Sequence, residues 1–408
     1  MDLRTLHASV FTGWLMAFVL LGIFLTHTPT HARSGTITFS GFVKTDIYQD
    51  TRNTVSVREG QFMLFPMNKV PDEAGNDINR NTQFNMLAIQ TRLQAQISGP
   101  DAFGAQTSGL VETAFFGSTD ANINTLRLRH AWVKLDWENT SLLVGQAWHP
   151  LFVTQSFPGT VSFSTGAPFQ AFSRNPQVRL TRTAGPLTGV VAAMSQRDFT
   201  GPGGSESLRN SAIPNLHAQL QVTAGDVLGG LGVDFKRLDI DPRTLDPVDS
   251  WTWFGFLNLP LGSLTSKSYL IYGENLMDQT MLGGVARASD GTQIYPYQTL
   301  GLWHEFTTGF RGDAERTRYE LGLFTGYSKN LGTAGENVRS VPGFARGADI
   351  DQLYRIAPRI QVQSGSVRFS LETDITTAAY GSVNPDGSVT DAESVTNVRL
   401  LIGAWLFF

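Results

Sequence analysis

The stretch VRLLIGAWLFF, residues 398–408, decides the fold class of this chain. Read with a period of two, it places six apolar residues on one face: Val398, Leu400, Ile402, Ala404, Leu406 and Phe408. In a soluble protein, an exposed strand edge ending in two phenylalanines would recruit other strands. A strand that faces lipid, and whose edge pairs with the first strand of a closed barrel, avoids this problem. The pattern therefore predicts a membrane barrel, with the last strand of a β-sandwich as the alternative.

The first 32 residues have the pattern of a secretory signal. A short polar region with Arg4 and His7 precedes an apolar run over residues 10–25, and Thr30-His31-Ala32 offers small residues at the −3 and −1 positions of a cleavage site. We therefore expect a cleaved signal peptide at 1–32 and a single barrel domain at 33–408. An uncleaved membrane anchor is the alternative.

Alternating segments of about ten residues recur from Gly35 onward. In the first, Ile37, Phe39, Val43 and Ile47 oppose Thr38, Ser40, Lys44 and Asp46. In the second, Leu87, Ile89, Leu93, Ala95 and Ile97 oppose Gln90, Arg92, Gln94 and Gln96. An apolar face backed by glutamines and charges is typical of a barrel with lipid outside and water inside.

Connections alternate between short turns and long segments, which predicts short turns on one rim and long loops on the other. Long connections are expected at 49–81, 149–176, 199–213, 238–250, 275–297, 328–350 and 379–391. About sixteen antiparallel strands fit the chain, because each needs about 9–11 residues to cross a bilayer. The pattern leaves the parity of residues 125–137 open.

With no plug domain expected before the first strand, we predict an open, passively conducting pore.

The composition excludes several classes of site. There are no cysteines, so disulfides and thiolate metal sites are absent, and the net charge of −4 gives no indication of nucleic-acid binding. The seven histidines show no metal-ligand spacing, and we expect no cofactor. Asp239 and Asp241, or Asp349 and Asp351, could bind Ca²⁺, but solvated loop carboxylates are the favoured interpretation.

The most distinctive motifs lie between residues 125 and 180. Arg127-Leu128-Arg129-His130-Ala131-Trp132 is followed by Gly145-Gln146-Ala147-Trp148, and later by Arg174-Asn175-Pro176-Gln177-Val178-Arg179. This series resembles the DcaP-like trimeric porins of Gram-negative outer membranes. His149-Pro150 departs from the pattern, because many relatives carry small hydroxyl residues there. The resemblance implies a homotrimer in the outer membrane and a channel for dicarboxylates and other small anionic solutes.

The resemblance extends to partners. An aromatic residue ending an alternating strand, here Phe408, resembles the signal that the barrel assembly machinery reads. Outer-membrane lipid, lipopolysaccharide and small anionic or zwitterionic solutes are the other partners expected.

The third loop, from Pro150 to Pro176, has few charges and is rich in Phe, Ser and Thr. Such a segment needs a surface to pack against, and the polar wall of a wide barrel offers one. We therefore expect the loop to fold inward and narrow the lumen. Packing at a subunit interface is the alternative.

Charged residues on the polar parity are the predicted pore lining, since arginine on the lipid face costs roughly 2–4 kcal/mol at the midplane. The predicted selectivity residues are Arg92, Arg127, Arg129, Arg174, Arg179, Arg318, Arg355, Arg359 and Arg368, with Glu112, Glu320 and Glu372. Because bases outnumber acids, the lumen is expected to favour anions. The alternative for each residue is an ion pair that only stiffens the wall.

The sequence thus predicts a porin for passive diffusion and not an enzyme. The alternative function is a phospholipase-like outer-membrane barrel, for which His130 and Ser141 would be the lipid-facing pair.

Overall fold

A closed antiparallel barrel accounts for most of the computed structural model, which describes residues 35–243, 245–313 and 316–408. The predicted signal peptide lies outside these residues. The barrel sheet contains seventeen hydrogen-bonded segments, and two of them, β4 and β5, are halves of one strand that both pair with β1. Sixteen strands therefore cross the barrel, as predicted.

The barrel segments follow one another in chain order around the wall. They are β1 (Thr36–Asp50), β4 (Gln83–Leu87), β5 (Arg92–Ser98), β6 (Gln106–Ala114), β7 (Arg127–Asp136), β8 (Thr140–Trp148), β9 (Arg174–Ala184), β10 (Leu187–Met194), β11 (Asn215–Ala224), β12 (Val227–Leu238), β13 (Val248–Leu261), β14 (Leu264–Glu274), β17 (Gln298–Thr307), β18 (Thr317–Asn330), β20 (Ile350–Ser364), β21 (Val367–Val383) and β22 (Val389–Phe407). The remaining strands lie in loops: β2 (Thr54–Val57), β3 (Phe62–Pro66), β15 (Gly283–Ala288), β16 (Ile294–Pro296) and β19 (Val338–Arg346).

The barrel closes where β1 pairs with β22, from Phe42 opposite Phe407 to Asp50 opposite Arg399. Along β22, Leu400, Ile402 and Leu406 are exposed on the outer face, whereas Arg399 and Leu401 are buried inside. The prediction that the even-numbered residues of the last strand form its outer, apolar face is confirmed. Among the described residues, no helix is long and apolar enough to span a membrane.

The predicted parity of the second strand is wrong in its first half. Asp46 pairs with Leu87 but Phe42 pairs with Arg92, so the register shifts by one residue across 88–91. An extra residue in one strand reverses which side chains face inward. Leu87 and Ile89 therefore point into the barrel, where Ile89 is 3% exposed.

A second register shift resolves the parity of residues 125–137. Glu112 pairs with His130, whereas the next residue, Thr113, pairs with Leu128, so Arg129 is the extra residue of a bulge. Arg129 and His130 consequently both point inward and are buried.

Seven short turns form one end of the barrel, the turn rim, and eight loops form the other, the loop rim. We number the loops L1 (51–82), L2 (115–126), L3 (149–173), L4 (195–214), L5 (239–247), L6 (275–297), L7 (331–349) and L8 (384–388). L2 was missed in the sequence, and L8 is shorter than predicted because β21 and β22 continue as a hairpin beyond the barrel. L4 holds a short helix, α1 (Gly204–Asn210), and β15, β16 and β19 join L6 to L7 in a small sheet.

Two loops enter the lumen. L3 folds inward as predicted, and the β2–β3 hairpin of L1 follows it, with all five residues of β3 buried. L1 corresponds to the long connection predicted at 49–81, but its inward position was not predicted. Together the two loops form an apolar core inside a polar barrel.

Candidate functional site

L3 is fastened to the wall by backbone amides that donate to buried carboxylates. The Val161 and Ser162 N–H groups donate to the two oxygens of Glu372, at 2.7 and 2.9 Å. The Gly159 N–H donates to Glu305 at 2.7 Å. Glu372 is fully buried. These contacts give Glu372, predicted to line the pore, an anchoring role beneath the loop.

Cationic wall residues bind L3 carbonyls, which complements the amide contacts. Lys44 Nζ donates to the Val161 carbonyl at 2.9 Å. Arg355 donates to the carbonyl of Ala167 in L3 and to that of Leu64 in L1, both at 2.9 Å, while its Nε pairs with Asp374 at 3.1 Å. Arg355 thus holds both inward loops at one point of the wall.

An aromatic cluster joins the loops to each other. Phe163 of L3 stacks on Phe116 of L2 with ring centroids 4.0 Å apart, and Phe62 of L1 lies 5.4 Å from Phe163 and 5.1 Å from Phe172. Burying each of these rings contributes roughly 1.5–3 kcal/mol. The constriction is therefore a packed element, with L1 and L3 supporting each other.

The Gly145-Gln146-Ala147-Trp148 motif builds the wall beside L3. Gly145 faces Trp132, whose Cα would lie 2.6 Å from any added Cβ, so a side chain does not fit there. Gln146 donates to the Arg129 carbonyl at 3.0 Å and so stabilises the bulge. Trp148 stacks on Phe152 at 4.2 Å. The motif thus fixes both the bulge and the start of L3.

A basic cluster of five arginines lies next to this motif and shares two carboxylates. Its members are Arg58, Arg92, Arg127, Arg129 and Arg174. Arg129 and Arg92 approach Glu112 at 2.6 and 3.5 Å. Arg174 pairs with Asp198 of L4 at 2.9 Å, and Arg127 pairs with the same carboxylate.

The charges of the basic cluster shift the pKa values of two groups in loops, Asp198 of L4 and Arg58 of L1. Although burial alone would raise the pKa of Asp198, Arg174 and Arg127 hold it below the ordinary value. Burial and the charge of Arg127 lower the pKa of Arg58 to about 10. Arg58 donates to the carbonyls of Phe116 and Gly117 rather than to a carboxylate. This side of the lumen carries an excess of positive charge.

On other parts of the wall the charges are balanced by ion pairs, on β17, β18 and β20 and at the seam between β1 and β22, which adjoins β5 of the basic cluster. Arg359 donates to Glu305 at 2.6 Å and to Glu320 at 2.7 Å, and Arg399 pairs with Asp50 at 2.6 Å. Arg359 and Glu320 were predicted to line the pore, and both are at most 7% exposed. Their contacts match the alternative of ion pairs that stiffen the wall.

Beneath L3, on the turn-rim side, lies a cavity of about 200 Å³ with a cationic and hydroxylic lining. Arg179 and Lys134 reach into it, and no carboxylate of the described chain lines it. Ser141, Thr154, Thr181, Thr188, Gln155, Gln219 and Gln221 provide its polar groups. Lys134 pairs with Asp136 at 2.7 Å, whereas Arg179 has no carboxylate partner among the described residues. This cavity is the best candidate for a solute-contacting surface.

Arg318 and Arg368 lie near the turn rim and contact aromatic rings. Their guanidinium carbons are 5.6 and 4.4 Å from the centre of the Phe310 ring, and Arg368 also donates to Gln363. Within the described ranges, neither forms an ion pair with a carboxylate. They add positive charge at this mouth of the barrel.

The structure brings together two histidines that the sequence left scattered. His149 of L3 and His217 of β11 converge on Asp234 of β12, and all three are buried. Only the fold could reveal this group, because 68 residues separate the two histidines. The loop acids suggested as Ca²⁺ ligands form no comparable cluster in the described chain, and Asp351 is paired with Lys329.

His130 and Ser141, the pair predicted for a phospholipase, do not face lipid. His130 is buried on the inner face beside Glu112, and Ser141 lines the inner cavity. A Ser-His contact does occur on the outer wall, where Ser268 Oγ lies 2.8 Å from His304 Nδ1. In the described chain, no carboxylate or amide hydrogen-bonds to the other nitrogen of His304, so the orienting group of a triad is missing.

Comparisons with known proteins agree with the fold. No protein-family model and no curated protein matches the sequence. Among solved structures, the chain is similar to the outer membrane channel DcaP of Acinetobacter baumannii, with a TM-score of 0.65 at 16% identity over 92% of this chain and 98% of that one. It is also similar to OmpT, an outer membrane protein of Vibrio cholerae. The in-vitro folded form gives a TM-score of 0.53 at 11% identity, over 94% of this chain and 100% of that one, and a trimer form gives 0.50 at 11%, over 92% and 100%.

These likenesses, at such low identity, concern the fold. The closed barrel with an apolar outer face and its similarity to outer-membrane channels indicate an outer-membrane location, as predicted. The chain therefore has the porin-type barrel fold seen in DcaP, which the motifs at 125–180 predicted.

Proposed function

We propose that this chain forms a water-filled channel for passive diffusion of small polar solutes, with a preference for anions such as dicarboxylates. The observation that carries the preference is the cavity beneath L3, where Arg179 and Lys134 face the lumen and no described carboxylate lines the wall. A carboxylate entering this space meets a guanidinium that can bind it through two parallel hydrogen bonds.

The basic cluster supports the same preference. Five guanidinium groups, against the carboxylates of Glu112, Asp198 and the nearby Asp120, leave a positive potential on one side of the constriction, whereas the charges on β17, β18 and β20 are paired. A difference of about 1.4 kcal/mol between anion and cation gives a tenfold population ratio. Salt of about 1 M shortens the screening length to roughly 3 Å, so the preference should weaken as ionic strength rises.

The test is a reversal potential measured across a salt gradient in planar bilayers. We expect anion selectivity at low salt and weaker selectivity in Arg179→Gln. Arg182→Gln is the matched control, because Arg182 lies on the same strand but lines a groove of the outer wall. A cation-selective wild-type channel, or equal selectivity in all three proteins, would contradict the assignment.

We further propose that the channel is a homotrimer, on the basis of the resemblance to DcaP-like porins and the trimer form of the OmpT barrel. Light scattering coupled to size-exclusion chromatography measures the protein mass of the complex after the detergent mass is subtracted. We expect a mass of three chains. A mass of one chain would contradict the proposal.

The phospholipase-like alternative has one contact in its favour, Ser268 with His304 on the outer wall. Lipid hydrolysis is measured for the wild type and for Ser268→Ala. If the wild type hydrolyses no lipid, or if Ser268→Ala hydrolyses lipid as fast as the wild type, this candidate is excluded.

A further inference from the structure

We propose that His149, His217, Asp234 and Asn215 form a binding site for one first-row transition-metal ion, such as Zn²⁺ or Cu²⁺, which fastens the start of L3 to the barrel wall.

The site is built by three elements. His149 is the first residue of L3, Asn215 and His217 lie on β11, and Asp234 pairs with His217 across the ladder on β12. The exposed fractions of the four residues are between 1% and 6%. Imidazole nitrogens together with carboxylate and amide oxygens suit Zn²⁺, Cu²⁺, Ni²⁺ and Co²⁺.

The spacing of the donor atoms fits a tetrahedral ion. His149 Nε2 lies 3.6 Å and His217 Nδ1 lies 3.2 Å from the same oxygen of Asp234. Bonds of about 2.0–2.2 Å to a tetrahedral Zn²⁺ place neighbouring ligand atoms roughly 3.3–3.5 Å apart. Small side-chain adjustments therefore suffice to enclose an ion.

With Asp234 ionised, the hydrogen bonds of this cluster do not close without a cation. The Leu151 N–H donates to His149 Nδ1, so the ring carries its proton on Nε2. That N–H faces the Asn215 amide nitrogen at 3.3 Å, so two donors meet, while the buried Asn215 Oδ1 has no partner. Turning the amide would place Oδ1 2.8 Å from an Asp234 oxygen, so two acceptors would meet. An ion that accepts electron pairs from Asn215 Oδ1, Asp234 and His149 removes the mismatch.

Charge and access support a cation here. His149 lies near Asp234 and near the ion pair of Asp278 with Lys236, so two carboxylates accompany one ammonium group around its ring. His217 Nε2 contacts Gln219 at 3.3 Å, and Gln219 lines the cavity beneath L3. The site therefore lies one side chain away from the lumen.

Metal binding would be coupled to L3. Coordination through His149 Nε2 moves the ring proton to Nδ1, which can then no longer accept the Leu151 N–H. The ion therefore clamps His149 to β11 and β12 while it releases the hydrogen bond two residues into the loop.

The experiment uses the full-length protein purified with a chelator and then titrated with Cu²⁺ alone. We expect one Cu²⁺ per chain and an electron paramagnetic resonance spectrum with hyperfine coupling to imidazole nitrogen. His149→Ser and His217→Gln should each lower the affinity at least tenfold. His304→Gln, a histidine on the outer wall, should leave binding unchanged.

If a variant does not fold, the stoichiometry and spectrum of the wild-type protein still test the proposal. Absence of stoichiometric binding, a spectrum with oxygen ligands only, or unchanged affinity in folded His149→Ser or His217→Gln would each overturn it. Cu²⁺ binding is measured on protein in detergent and requires no ion flow. The result therefore does not depend on whether the proposed channel function is correct.

Discussion

Gly41 and Phe408 exchange both of their backbone hydrogen bonds across the seam of the barrel. The Gly41 N–H donates to the Phe408 carbonyl at 3.0 Å, and the Phe408 N–H donates to the Gly41 carbonyl at 3.1 Å. The terminal residue thus completes the pairing that joins the last strand to the first.

Deleting Phe408 should slow assembly and lower the yield of folded protein. The deletion removes two backbone hydrogen bonds, each worth about 0.5–1.5 kcal/mol. It also replaces the exposed terminal ring of Phe408, proposed as the assembly signal, with Phe407, which packs on the inner face. Heat-modifiability gels of outer-membrane fractions measure the folded yield. Phe369→Ala, at another exposed phenylalanine of the outer wall, is the control, and an unchanged yield after the deletion would contradict the proposal.

Shortening L3 between Phe157 and Gly166 should raise single-channel conductance, because the narrowest section of a pore dominates its resistance. The change also removes the two amides that bind Glu372, so this carboxylate loses both donors and anion preference should fall. A shortening by the same number of residues of the β21–β22 hairpin around L8, which extends beyond the barrel, is the control. Conductance equal to that of the wild type would show that L3 does not limit the flow.

Replacing Gly326 with valine should destabilise the barrel through L3. A Cβ at this wall position would lie 2.4 Å from the Phe169 ring, and overpacking of this kind costs about 1–3 kcal/mol. Phe169→Ala should recover part of the loss in a double-mutant cycle, measured by urea unfolding in vesicles. Gly189→Ala, which meets open space, is the control. Additive effects at Gly326 and Phe169 would show that the two sites are not in contact.

Replacing Arg355 with methionine should destabilise both inward loops. The change leaves Asp374 without its ion-pair partner, and breaking a buried pair costs about 3–5 kcal/mol. We also expect more frequent current fluctuations, because the Leu64 and Ala167 carbonyls lose a shared donor. Arg368→Gln, near the turn rim, should change neither. A steady current in the folded Arg355→Met protein would argue against the clamp.

The barrel was predictable because its signal is repeated. Alternation in each strand reports the two environments, lipid outside and polar side chains inside, and the spacing of turns gives the strand number. The inward L3 was also predictable, since its phenylalanines require a surface on which to pack.

The errors have local physical causes. One extra residue at 88–91 turned Leu87 and Ile89 inward, and periodicity cannot detect an insertion of one residue in a short strand. Arginines on the inner parity were identified, but the sequence could not tell Arg359, held by Glu305 and Glu320, from Arg179, which faces a cavity. Ion pairs such as these, and the group around His149, join residues far apart in the chain.

The L1 hairpin has a consequence for the order of assembly. Three of its side-chain hydrogen-bond donors are on the last strands in the chain: Arg355 of β20 donates to Leu64, Tyr380 of β21 to Pro66 and Asn397 of β22 to Met63. The hairpin therefore cannot reach its final position until the C-terminal strands have arrived. Until then, the Leu64 and Pro66 carbonyls lack their side-chain donors, so the seating of this N-terminal hairpin is a late step that depends on the closing strands.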